Sequence, residues 1–326
     1  MATVELDLIA TRVHRDLQEC IIHYSKWTTE ARLDYDYRLG KQWTDETLAT
    51  LDFEGRPHLT INRIKPVVRL LSGIERQGRI NIKYQPVQST DQAIADIYNF
   101  ISSVVMEKND GYFECSQAFE DGIICGKGYL YIGIDFSQNL LKGDIKIFSL
   151  DPFHVYIDPM SRRYDLSDAN YIMRVSWLRP KEVEDMYPEL KDGISVTTIP
   201  GLDPGGQSAY WESSDGYEHR TSDQNMMRLV PVIEYWYREW ERFDALIDTT
   251  SGQIAYISSE QKAQARIMVA ESQGRIQWIK REITRPVIRS VTVVGGQAIE
   301  ETLSPLGDLD IYPIIPFYGE LVPAAD

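Results

Sequence analysis

Apolar residues recur every three or four positions from residue 4 to about 40. Leu6, Ile9, Val13, Leu17, Ile21 and Tyr24 make the stripe, and Trp27, Leu33 and Tyr37 continue it less cleanly. That period predicts one long amphipathic helix. Thr44, ahead of Asp45, Glu46 and Leu48, predicts the cap of a short second helix. A third is expected behind Asn62 as its cap, with Pro66 tolerated near the first turn. Ile64, Val67, Val68, Leu71 and Ile74 fall on one face of it. After Gln77-Gly78 the period changes to two, and Ile80, Ile82 and Tyr84 predict a strand stopped by Pro86. Two further helices are predicted over 91–108, capped by Thr90, and over 112–125. Ile94, Ile97, Tyr98, Ile101, Val104 and Val105 line one side of the first; Phe113, Ala118, Phe119 and Ile123 mark the second. Both read as core helices. The tight turn between them, Asn109-Asp110-Gly111, places its glycine in the left-handed conformation.

From Tyr129 onward the pattern is mostly β. Strands are expected over 129–134 and 143–150, then a short one between Asp151-Pro152 and Asp158-Pro159, then one over 171–178. Pro180 opens a short helix with Val183 and Met186. Residues 192–227 are polar, rich in Gly and Ser, and read as a surface loop or excursion. Beyond Leu229 a two-sided strand is expected. Val230, Val232, Glu234, Trp236 and Arg238 face one way, and Ile233, Tyr235, Tyr237 and Glu239 the other. A helix is expected behind Ser258 or Ser259 through Ile267, then strands near 276–283, 286–294 and 297–302. Gly295-Gly296 joins the last two as a hairpin. Residues 311–318 form a final extended piece. The fold class is α+β. It comprises a helical part over 1–126, a β-rich segment over 127–191, the loop over 192–227, and a second β-rich segment with one helix over 228–326.

Composition narrows the function. Hydrophobic residues are 43% of 326, so a sizeable core is available and global disorder is excluded. Cys20, Cys115 and Cys125 form no CxxC pair and no zinc pattern with the five histidines. A reduced, cytoplasmic folding environment is expected. Residues 1–9 lack a basic start and an apolar core, and no run approaches the roughly 18 apolar residues of a membrane span. A soluble protein with no membrane partner and no cofactor is expected.

The net charge of −15 argues against a general nucleic-acid grip. Within this acidic chain, residues 53–86 are basic. Arg56, Arg63, Lys65, Arg69, Arg76, Arg79 and Lys83 stand against only Glu54 and Glu75. That pattern fits a solvated helix face and a docking surface equally well.

Three constellations invite chemistry. Gly122, Gly126, Lys127 and Gly128 suggest a phosphate loop, but only three residues separate the first two glycines. Gly128 also stands where a hydroxyl is needed, and a helix precedes where a strand should. The structural role is the better one: Gly126 ends the helix and Gly128 permits a sharp entry into the strand. Asp151 and Asp158 lie seven residues apart at opposite ends of a short strand and read as turn formers rather than an acid–base pair. Trp236, Tyr237 and Trp240 could stack bases, yet Glu234, Glu239 and Glu241 surround them, and a packed strand is the better reading.

Four phrases, in order, resemble the portal proteins of tailed bacteriophages, in particular the P22-like branch. The first is the Gly-Arg-Pro turn at 55–57 with Leu-Thr-Ile-Asn-Arg-Ile, Pro-Val-Val, Leu-x-Gly-Ile-Glu-Arg-Gln and I-x-I-x-Y-x-P through Pro86. The second is Asp-Pro-Phe-x-Val-x-x-Asp-Pro at 151–159. Val-Ile-Glu-Tyr-Trp-Tyr-Arg-Glu at 232–239 and Tyr-Pro-Ile-Ile-Pro-Phe-Tyr-Gly at 312–319 complete the set. Gly-Lys-Gly-Tyr-Leu at 126–130 is similar to the helix-to-strand junction of the same family. The resemblance implies a wing-like region of a structural ring subunit, typically dodecameric, at the special capsid vertex. Double-stranded DNA would be packaged and ejected through that ring, and the tail attached to it. The partners implied are the major capsid protein, scaffold, terminase and a head–tail adaptor, with ATP hydrolysis belonging to the terminase. The location implied is the virion, after synthesis in the host cytoplasm. No catalytic, cofactor or metal residue carries over. Portal chains of this branch usually continue beyond the last phrase with helices that line the channel, whereas this chain stops at Asp326, so no DNA contact is assigned. The candidate subunit-interface residues are Arg56, Arg63, Lys65, Arg69, Arg76 and Arg79. Another head–tail adaptor or a scaffold-binding virion protein is the competing reading.

Overall fold

Two antiparallel sheets carry the fold. The computed structural model describes residues 2–79, 83–86, 91–135, 143–190, 229–248, 254–257, 278–304, 306 and 309–319. The helices are α1 (Ala2–Leu39), α2 (Asp45–Phe53), α3 (Ile64–Gln77), α4 (Gln92–Lys108), α5 (Gly111–Cys125) and α6 (Pro180–Met186). The strands are β1 (Lys127–Asp135), β2 (Asp144–Leu150), β3 (Val155–Ile157), β4 (Tyr171–Leu178), β5 (Val230–Asp248), β6 (Ile254–Ile257), β7 (Trp278–Val294), β8 (Gln297–Leu303) and β9 (Ile314–Tyr318). The smaller sheet has the order β2-β1-β9. The larger runs β3-β4-β5-β7-β8, with β6 paired to β5. The two β-rich stretches of sequence therefore share both sheets: β4 pairs with β5, and β9 returns to β1.

Over β4, the first half of β5 and the second half of β7, the larger sheet is buried on both faces by strict alternation. Tyr171, Met173 and Val175 of β4, with Ile233, Tyr235 and Tyr237 of β5, pack against Val13, Leu17 and Cys20 of α1. On the opposite face Ile172, Trp236 and Ile288 meet Tyr129, Leu150 and Ile314 of the smaller sheet. Helix α5 lies on β1, β2 and β9. The 38 residues of α1 span about 57 Å at helical rise, long enough to cover the sheet with its first half and reach α5 with its second. There Ala31 and Tyr35 join Cys125 and Phe153, and Trp27 Nε1 donates to the Cys125 carbonyl at 3.0 Å.

Several buried polar groups on α1 are paired, as burial requires, while His14 Nδ1 and Arg38 Nε are buried without a hydrogen-bond partner. Asp16 accepts from Tyr235 Oη at 2.9 Å and from Arg15. Tyr35 Oη donates to Asp121 at 2.8 Å. Asp151 accepts from the Phe153 amide. Asp158 accepts from the Met160 amide and from both the backbone and side-chain nitrogens of Asn170. Both aspartates hold turns, as their Asp-Pro context suggests, and Asp158 also anchors the start of β4.

Several sequence expectations are corrected. At the α4–α5 turn the left-handed residue is Asp110, with φ 48°, and Gly111 opens α5. A Cβ on Gly111 would press on Met106 Sδ at 2.9 Å, the flexible end of a side chain. Helix α4 is not a core helix, because Ala95 alone is buried among its described side chains. Asp91 precedes α4 at its cap position, without a side-chain cap bond; Thr90 lies outside the described residues.

The strands expected near 276–283 and 286–294 are one strand, β7, with Pro286 inside it. Pro286 pairs with Trp240, and Ile288, two residues on, turns its carbonyl toward Ser304, away from β5. Alternation sends the Pro286 nitrogen the same way. Among the described residues β8 pairs only with 289–294, so the missing N–H costs no ladder bond there. β5 likewise continues to Asp248, well beyond the expected strand. Residues 83–86 are not in a strand, and Ile80 and Ile82 lie outside the described residues, as do the loop over 192–227 and the helix expected through Ile267.

Candidate assembly surface

Local sequence sets the start of α3. Asn62 Oδ1 accepts from the Ile64 and Lys65 amides at 3.1 and 3.0 Å, the capping role its side chain predicts. Its Nδ2 donates to the Arg38 carbonyl at 2.8 Å, tying the helix start to the end of α1. At the far end α3 is pinned to α5. Arg79 donates to Ser116 Oγ at 2.9 Å and to the Tyr112 carbonyl at 3.1 Å, and its guanidinium lies over the Tyr112 ring. Glu75 accepts from Ser116 Oγ at 2.6 Å.

Between these anchors α3 turns little of itself inward. Val68 and Ser72 are its buried residues. The apolar stripe read from the sequence is largely exposed: Val68 alone of it is buried, Ile64, Val67, Leu71 and Ile74 face solvent, and Leu70 beside them is 63% exposed. At about 3.6 residues per turn the buried seam separates this stripe from a basic edge formed by Lys65, Arg69 and Arg76. Helix α4 repeats the pattern. Ile94, Ile97, Ile101 and Val104 line its outer side with Phe100, which is 70% exposed. The C-terminal ends of α3 and α4 meet over the start of α5 at a cleft of about 490 Å³, lined by Arg76, Arg79, Ser103, Met106, Glu107 and Tyr112 among others. Soluble single chains rarely leave apolar faces of this extent uncovered.

The six candidate cations separate into groups. Arg79 is engaged within the subunit. Arg56 pairs with Glu54 at 3.2 Å in the exposed turn before α3. Lys65 is half-buried beside the seam. Arg76 stands between the cleft above and a smaller one walled by Arg38, Glu120 and Asp121. Among the described residues Arg63, Arg69 and Arg76 form no ion pair, so α3 carries unpaired positive charge next to exposed apolar side chains.

The other constellations are structural. The Lys127 ammonium lies 4.2 Å from the Tyr24 ring centroid and 4.5 Å from that of Trp27, inside the subunit. Burial pulls its pKa down to about 8. Gly126 takes φ +80° to end α5, and β1 follows at once. Gly128 is needed for close approach rather than for a sharp turn: a Cβ there would overlap the Ala118 carbonyl oxygen. Trp236 and Tyr237 are buried in opposite cores, and Trp240 is exposed. Among the described residues no group of three or more His, Cys, Asp or Glu could hold a metal, and no helix is long and apolar enough to cross a membrane.

Periodicity revealed the apolar stripes of α3 and α4 but could not say that they lie outward. The Lys127 cage joins residues about a hundred positions apart and leaves no local signal.

No curated protein matches the chain. A family model described as phage P22-like portal protein matches residues 14–325.

Proposed function

The chain belongs to the phage P22-like portal family, and from that membership we propose that it is a structural subunit of a closed ring at one capsid vertex. In this reading the ring passes double-stranded DNA during packaging and ejection and holds the tail. Terminase supplies the ATP hydrolysis, and the capsid protein, scaffold and head–tail adaptor are the neighbours. The observation that carries the proposal is the family match over nearly the whole chain. The uncovered α3 and α4 faces support it, because a ring subunit must present surface to two neighbours. The basic edge of α3, with Arg69 and Arg76, meets acidic surface of a neighbouring subunit or of capsid protein.

Electron microscopy of the purified chain tests the reading, and closed rings with a central opening are expected. In virions, a tag on the chain should mark a single vertex within the shell. A tag found only below the shell would identify a head–tail adaptor instead. Reversal of Arg69 and Arg76 to Glu should weaken assembly while leaving the monomer's thermal midpoint nearly unchanged, since exposed charges add little to folding. Equal assembly by the double reversal would make that edge an ordinary solvated face.

A further inference from the structure

A second surface matches the α3 face in chemistry. The side of α1 opposite its buried stripe carries Leu8, Ile22 and Leu33, all exposed, Ile22 at 75%. Helical spacing sets Glu19, Glu30 and Asp34 along one edge of that apolar row. Burial and the neighbouring Glu30 both push the Asp34 carboxyl above its ordinary value, so this edge holds crowded negative charge. Three cations share the face: Arg12, in helical register with Glu30, lies 3.7 Å from Asp16, Lys26 lies 3.8 Å from Glu30, and Arg15 is tied to Asp16. The α1 face therefore sets three separated apolar side chains, with Arg15 and Lys26 between them, beside an acidic edge, and the α3 face is an apolar row with unpaired arginines. The two faces cannot meet within one subunit. Ala31 and Tyr35, on the buried side of α1, pack toward α5, so the outer row looks away from α5, the helix on which α3 and α4 sit.

We infer that the α3–α4 face of one subunit docks on the outer face of α1 of a second copy. Val67, Leu70 and Ile74 pack against Ile22 and Leu33, while Arg63 and Arg69 reach the Glu19–Asp34 edge. This rests on the ring reading above and specifies its contact. The two faces differ, so the contact is head-to-tail, the kind that generates a ring. Apolar burial supplies the attraction, and the charges fix register and reject a face-to-face pairing of two basic edges.

Two cysteine variants decide it. Leu33→Cys and Leu70→Cys are each placed in the full chain and treated with a short bismaleimide, separately and as a mixture. A cross-linked dimer is expected only in the mixture, above the background of the three native cysteines. Arg63→Glu with Arg69→Glu should lower the ring fraction about tenfold or more, since like charges brought together at a contact are costly. Glu30→Arg with Asp34→Arg should do the same, and all four changes in one chain should restore it. A cross-link in Leu70→Cys alone would mean that the α3–α4 face pairs with itself, and would overturn the inference. Rings that form without cross-linking, or that ignore the reversals, would overturn it while leaving the ring reading intact. A wild-type chain that stays monomeric at every concentration tested would overturn both.

Discussion

Lys127 shows how a single side chain ties pH to stability. Burial lowers its folded pKa from 10.5 to about 8, and the flanking faces of Tyr24 and Trp27 only partly offset that loss of hydration. Between those values the unfolded chain binds more protons than the folded one, so stability rises with pH. Burial also pushes the Cys125 thiol up to about 11 and the Cys20 thiol up to about 12, and raises the Tyr24 and Tyr129 hydroxyls. These groups keep their protons in the fold when the unfolded chain has lost them, so stability falls again above roughly pH 9–10. Urea midpoints should therefore climb from pH 7 to 9, by roughly 0.5 kcal/mol in unfolding free energy once the two thiols are set against Lys127, and then decline. Lys127→Met should abolish the climb and keep the decline; an unchanged climb would locate its source elsewhere. No nucleotide turnover is expected of the purified chain, and turnover that vanished in Lys127→Ala would contradict the structural role of this residue. Two glycines make a second test. A Cβ at Gly128 meets backbone at Ala118, whereas one at Gly122 meets a side chain, the Phe317 ring. Gly128→Ala should cost about 3 kcal/mol or more and Gly122→Ala less, read from thermal midpoints. Caps such as Thr44 and Asn62 were legible in the sequence because their partners lie two or three residues away. The Lys127 cage was not, because its partners come from another helix.

At the scale of elements, α1 and α4 have similar apolar periodicity and opposite fates. Leu17 is fully buried against the larger sheet, while Ile97 is 57% exposed. Leu17→Ala should cost about 2–5 kcal/mol of monomer stability. Ile97→Glu should change it by less than about 0.5 kcal/mol yet reduce the assembled fraction. Chemical denaturation and sedimentation on the same two variants separate these effects, and a large stability loss in Ile97→Glu would place α4 in the core after all. A hydrophobic stripe reports that something covers it, without reporting whether the cover is the same chain. That is why the sequence placed α4 in the core. Pro286 misled for a related reason. A proline argues against a central strand, and only the short reach of β8 among the described residues reveals that its missing N–H costs no ladder bond there.

For the whole molecule, charge and apolar surface pull in opposite directions. Each added subunit brings a formal charge of −15 into a closed assembly, and like charges in such excess oppose it. Salt at about 0.1 M screens exposed charges beyond about 10 Å but does not weaken apolar burial. The ring fraction should therefore rise from low to moderate salt at fixed concentration, as read by sedimentation or native mass spectrometry. Steady dissociation with added salt would show that ion pairs hold the ring.

The pairing of β9 with β1 also governs the order of events during translation. β1 emerges from the ribosome long before its partner, and until residues 314–318 follow, one edge of the smaller sheet stands open with Gly122 uncovered by Phe317. Pairing across so long a stretch of chain is slow, and an open strand edge is a template for other nascent chains. On a polysome making many copies, the hazard is premature association of subunits still lacking β9, and the pairing of β9 is the step that removes it.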